Sequence, residues 1–332
     1  MRYDNLIYRH IRFNCIDCLK EICYNKIEQI VTVRFCGKNK CPYFLSRLSG
    51  RSKILSNKYT HKEISYIFYN ALGIFNDCLD ADFTPENTLL VFFTPKSGLK
   101  VYEKFCGEHF PKFLNENYKA EGYFETFMAQ AFIGDRTNGV MVRSDIWYSL
   151  EEVYRVFLHE LSHIFCIRTE FNGKNFFDIY CAPTDADSGI YSAGYTVWRE
   201  AIVDIMADAV TSDYTSIKFR EIVDEIRNLY EGVRPYDANS KKSISLIIAD
   251  VMFSAEVAGM EKWTEAEAAI RKYLPVTDEV LIRMLGKVFR TLHKPPFWHI
   301  DPEFIFDLGF DYIEILSRKS MALFKDHLND KE

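Results

Sequence analysis

No stretch of the chain approaches the roughly 20 consecutive apolar residues needed to cross a bilayer. The opening, MRYDNLIYRHIRFNC, scatters charges where a secretory signal would need an unbroken apolar core. These two absences lead to the expectation of a soluble, cytoplasmic protein with no membrane partner. There is no internal repeat, no low-complexity tract and no long linker of Pro, Gly or Ser, which argues against disorder over most of the length. Histidine is scarce, eight in 332 residues, so a cluster of histidines carries information. The nine cysteines are odd in number and spread along the chain, which fits reduced thiols better than a disulfide framework.

What is plentiful is apolar and aromatic material. Hydrophobic residues make up 48% of the chain, with 27 Phe and 20 Tyr, enough to surround a site with a packed core. A chain of 332 residues exceeds the usual size of one core, so more than one unit is expected. Charge supports a division: residues 1–60 carry a net +8 and the remainder −14. The divisions read from composition and pattern are a basic, Cys-rich module over 1–59, a mixed helix-and-strand domain over 60–213 and an α-helical subdomain over 214–332.

Periodicity places the elements. From His61 to Leu79 the apolar residues Ile64, Ile67, Phe68, Ala71, Leu72 and Phe75 recur at three and four, predicting an amphipathic helix. Asn87 to Thr94 is a short apolar run ended by Pro95 and predicts a buried strand. Phe124 to Ile133 and Gly139 to Arg143, joined through GDRTNG, predict a pair of strands. Leu150 to Ile167 returns to helical spacing, Phe171 to Tyr195 reads as a long loop, and Thr196 to Val210 is helical again. Helices follow over Ile217–Tyr230, Ser243–Val257, Thr264–Tyr273, Asp278–Leu292 and Asp301–Lys319.

The chemistry concentrates in His159-Glu160-Leu161-Ser162-His163. Helical residues four apart lie one turn apart and about 40° apart in azimuth, so both imidazoles can reach one zinc ion. Glu160 falls on the adjoining flank, where a carboxylate meets a metal-bound water without ligating. HELSHIF embeds these groups in an apolar helix, where unpaired imidazoles would be costly; this argues against a solvated surface helix. A catalytic zinc takes three protein ligands and keeps one position open. Trp198-Arg199-Glu200-Ala201-Ile202-Val203-Asp204 supplies the third in Glu200, with Asp204 one turn on to accept the free ring N–H of a ligand histidine.

An H-E-x-x-H helix followed by a helix bearing E-x-x-x-D resembles the gluzincins, the thermolysin-like branch of the zincin metallopeptidases. The resemblance spans roughly Thr88 to Val210 and rests on His159, Glu160, His163, Glu200 and Asp204. A metzincin would need a third histidine at position 169, which is Thr. The resemblance implies an α+β, zincin-like domain with a small mixed sheet ahead of the first helix. It also implies that the edge strand before that helix, Gly139 to Arg143, pairs with an extended peptide substrate. The expected activity is hydrolysis of a peptide or amide bond by zinc-activated water, with Glu160 as general base returning its proton to the leaving amine. Tyr195, with Tyr191 and His299 as other candidates, is the expected oxyanion donor.

Two further patterns bear on metals. Cys15-x₂-Cys18 and Cys36-x₄-Cys41, seventeen residues apart, have spacing near that of a zinc knuckle, so a structural Zn²⁺ is one reading and packed reduced thiols the other. A knuckle in this basic setting would admit nucleic acid as a partner. Asp185 and Asp187 invite a calcium loop, but the segment lacks a closing Glu. The alternative to catalysis is a non-catalytic, zincin-like binding or regulatory protein that recognises its partner through residues 1–59.

Overall fold

The computed structural model describes residues 59–79, 81–146, 149–169, 175–211, 219–235, 237, 239–273, 278–293 and 301–329. The basic Cys-rich segment, including Cys15, Cys18, Cys36 and Cys41 and the structural zinc expected there, lies outside the described residues, as does His299. The rest is mostly helical with one three-stranded mixed sheet, an α+β arrangement. The described residues up to Phe165 form one compact unit and those from Cys166 onward another. That division falls inside a single unbroken helix, α3 (Leu150–Arg168).

In the first unit, α1 (His61–Leu79) buries the six apolar residues whose spacing predicted it. Its Phe68 meets Phe157 of α3 edge to face at 5.0 Å, and Phe75 meets Phe165 at 5.8 Å. Strands β1 (Thr88–Phe93), β2 (Ala129–Ile133) and β3 (Asn138–Arg143) lie in the order β1-β3-β2. β3 runs parallel to β1 and antiparallel to β2. Register is set by Leu90 opposite Val140 on one side and Ala131 opposite Val140 on the other.

β3 is therefore the central strand, and the edge role expected for Gly139 to Arg143 is corrected. Its backbone groups are committed to ladders on both sides, which leaves none for a peptide. Among the described residues β1 and β2 are the edges.

A helix not predicted from the sequence, α2 (Pro95–His109), follows β1. Thr94 caps it: its side chain accepts from the Ser97 amide while Ser97 Oγ accepts from the Thr94 amide, and Pro95 occupies the first turn. α2 delivers Tyr102, Phe105 and Cys106 into a core with Phe93, Phe110, Phe132 and Met141.

The second unit is a set of packed helices: α4 (Ala186–Thr211), α5 (Phe219–Gly232), α6 (Asn239–Val257), α7 (Trp263–Tyr273), α8 (Glu279–Leu292) and α9 (Pro302–Asn329). Within the segment expected as a loop, Phe171 to Tyr195, the described residues hold a π turn, Phe177–Cys181, and the start of α4 from Ala186. Asp185 accepts from the Ser188 amide at 2.8 Å, so the TDADSG stretch caps α4. α4 packs on both α6 and α9. Its crossing with α9 is backbone on backbone: a Cβ built at Gly194 would stand 2.0 Å from the Ile305 carbonyl oxygen, and one at Gly309 would stand 2.0 Å from that of Ile190. No helix among the described residues is long and apolar enough to cross a membrane.

This crossing tolerates no methyl group. Gly309→Ala is expected to lower the urea unfolding free energy by about 1–3 kcal/mol or more. Gly189→Ala, on the same α4 with nothing within 4 Å of the added carbon, should be neutral or stabilise by up to about 1 kcal/mol. Equal stability of the two variants would contradict the packing described.

Candidate metal centre

α3 forms because Val153, Phe157, Leu158, Leu161, Ile164 and Cys166 give it a wide buried face. Ser162, fully buried, donates its hydroxyl to the Leu158 carbonyl at 2.7 Å and so leaves no polar group unmet in the motif's interior. His159 and His163 are half-buried, and Glu160 is 8% exposed. The two imidazoles stand 4.8 Å apart between ring centres at 80°, with their Nε2 atoms 3.1 Å from each other.

α4 is fixed along the face opposite its polar residues. Trp198 is buried and meets Phe304 of α9 edge to face at 5.1 Å, and Ser245 of α6 donates its hydroxyl to the Val197 carbonyl at 3.1 Å. The last turn of α3 packs on this helix through Cys166, whose Sγ lies 3.9 Å from Met206 Sδ. Burial pushes the Cys166 thiol up to about 12, with the Arg199 guanidinium pulling the other way.

His159, His163 and Glu200 come together: one ligand atom from each lies within 4.8 Å of the others. Zinc–nitrogen bonds of 2.0–2.1 Å in a tetrahedron require a nitrogen–nitrogen separation of about 3.3 Å. The observed 3.1 Å between the Nε2 atoms is close to that edge. Two imidazoles and a carboxylate are also the donor set of a catalytic His₂Glu zinc site, so the residues present fit such an ion.

The remaining expected residues are placed as follows. Asp204 is 2% exposed, one turn beyond Glu200 on the same face of α4. Tyr195 lies within α4, about 140° round the helix from Glu200. Its ring stacks on Phe176 at 5.2 Å and 13°. Tyr191 packs against Tyr180 and Phe306. Both tyrosines thus belong to an aromatic group around the π turn.

A residue the sequence reading passed over is Arg199. Its Nη2 donates to Glu200 Oε1 at 3.1 Å, and its Nε is enclosed with no hydrogen-bond partner. The available signal was a cation set inside the apolar run around WREAIVDIM. No family model, curated protein or solved structure matches the chain.

The packing of Cys166 is open to test. A thiol whose folded pKa lies above its unfolded value adds stability that is full below about pH 8.5 and is lost as pH rises toward about 12. Cysteine mapping by mass spectrometry at pH 8 should find Cys166 protected from iodoacetamide until the chain is unfolded. Rapid native labelling at Cys166 would mean that α3 does not end buried against α4.

Proposed function

We propose that this chain is a zinc-dependent metallopeptidase of the gluzincin kind, which hydrolyses a peptide or amide bond. His159, His163 and Glu200 hold the metal in this reading, and Glu160 is the general base. The observation that carries it is the pair of facing Nε2 atoms 3.1 Å apart with the Glu200 carboxylate beside them. When bound, zinc supplies a Lewis acid for the scissile carbonyl and makes water acidic enough to give up a proton near neutral pH.

The chain's own groups do the rest. Glu160 is buried, and its carboxylate has no hydrogen bond or ion pair with a described residue. It can therefore take the proton of the attacking water on a carboxylate oxygen and pass it to the leaving nitrogen. Asp204 accepts a ring N–H from a ligand histidine, which holds the tautomer that presents Nε2 to the metal. Strand β2, at a sheet edge among the described residues, offers backbone groups to an extended substrate. The small sheet followed by the H-E-x-x-H helix is in keeping with a zincin-like domain. A binding protein without catalysis has no chemical use for a buried glutamate at position 160, which favours the enzyme.

Glu160→Gln is expected to retain about one zinc per chain while losing about 10²- to 10⁴-fold in turnover on a peptide library. His163→Ala and Glu200→Ala should lose the metal itself. A fully active Glu160→Gln chain, or undiminished zinc in both ligand variants, would overturn the assignment.

A further inference from the structure

We infer that the aromatic face built by the π turn, α4 and α9 is a docking surface for a cationic segment of another protein that carries large apolar side chains. All three elements belong to one unit, and the inference does not depend on the metal reading. Ring contacts make the face continuous. Phe176 touches Tyr180, Tyr191 and Tyr195 at 4.8, 6.4 and 5.2 Å, and Tyr191 meets Phe306 edge to face at 5.1 Å. Phe310 follows Phe306 one turn along α9.

The face is packed within and open outside. Phe176 is buried at its centre, whereas Phe177, Ile179 and Phe310 are 52%, 56% and 53% exposed. A solitary exposed apolar residue needs no explanation, but a continuous group of them on one surface marks a place where something binds.

Charge selects the occupant. The two stretches that form the face, residues 175–195 and 301–317, contain no Lys or Arg. Asp178, Asp187, Asp301 and Glu303 stand exposed on them. Glu303 shares one face of α9 with Phe306 and Phe310, at spacings of three and four. Asp307, by contrast, already pairs with Lys287 at 3.0 Å. The Tyr191 hydroxyl feels the same sign: its pKa is raised, first by burial, then by Tyr180 and by Asp187, Asp185 and Asp301. Such a rim repels an anionic lipid surface, and a second copy would set one acidic rim against another. A segment with Lys or Arg between aromatic and aliphatic side chains meets both demands, because its apolar groups cover the rings while its cations reach the carboxylates.

The test uses the full chain and three labelled synthetic peptides in fluorescence-anisotropy titrations. The first is Lys-Leu-Phe-Lys-Lys-Leu-Phe-Lys, the second has Glu for every Lys, and the third has Ser for every Leu and Phe. The first should bind saturably and the other two at least about ten-fold more weakly. Phe177→Ser combined with Phe310→Ser should weaken the first peptide about ten- to hundred-fold. Asp178→Asn combined with Glu303→Gln, which leaves the apolar face intact, should weaken it about three- to ten-fold and flatten its salt dependence. Tyr66→Ser combined with Leu99→Ser, exposed apolar residues of the other unit, should bind like the unmodified chain. No saturable binding of the first peptide below about 1 mM, equal binding of all three, or undiminished binding in the Phe177→Ser and Phe310→Ser chain overturns the inference. A photoreactive benzophenone side chain in place of Phe310 identifies the occupant and should capture the added peptide. Capture of residues 1–58 of the same chain, or of a second copy, with the peptide present also overturns it, as does binding to phosphatidylcholine vesicles that Phe177→Ser abolishes.

Discussion

Glu200 can serve beside His159 and His163 only if α4 is held against rotation about its own axis, because a slip of one residue swings a side chain by about 100°. The contacts that prevent this are short and directional. Gly194 and Gly309 bring the backbones of α4 and α9 together, so the crossing has one register in which nothing clashes. Trp198 against Phe304 and the Ser245 hydroxyl on the Val197 carbonyl fix the helix immediately before Glu200. The turn of α4 that carries Glu200 is thereby held in one rotational setting within its own unit, which would lower the ordering cost of any ligand that Glu200 binds.

α3 meets the same demand differently. Its two histidines need no tertiary help to face each other, since the helix repeat alone sets them a turn apart. What tertiary structure adds is burial: Phe68 and Phe75 of α1 close over Phe157 and Phe165, and Cys166 seats the last turn on α4. Glu160 itself is 8% exposed, and burial raises the strength of a carboxylate's interactions.

Much of this was legible where a periodic pattern is undiluted. α1 shows the six predicted residues buried, and α3 and most of the later helices begin and end close to their expected limits. The failures have physical causes. α2 was hidden because Pro95 reads equally as a strand stop and as a first-turn residue, and because Gly98 and Gly107 lower its helical character. The first turns of α4 were read as loop because Ser188, Gly189, Ser192 and Gly194 break the apolar repeat, although Gly194 is required by the α9 crossing. β3 was taken for an edge, yet Gly139, Val140, Met141 and Val142 are all buried, and such a continuous apolar run is the mark of a strand covered on both faces. Within the site, the histidine pair could be read from spacing, and Glu200 from its helix with Asp204. The Arg199–Glu200 contact could not, because it depends on where a long side chain bends, and residue type does not fix that.

The most direct test of the account is an anomalous-scattering measurement at the zinc edge on crystals of the full chain grown with zinc. The account predicts a peak about 2.0–2.1 Å from Nε2 of both His159 and His163, with a Glu200 oxygen at about 2.0–2.2 Å. Zinc found only at cysteine sulfurs, or a Glu200 side chain directed away from both rings, would contradict it.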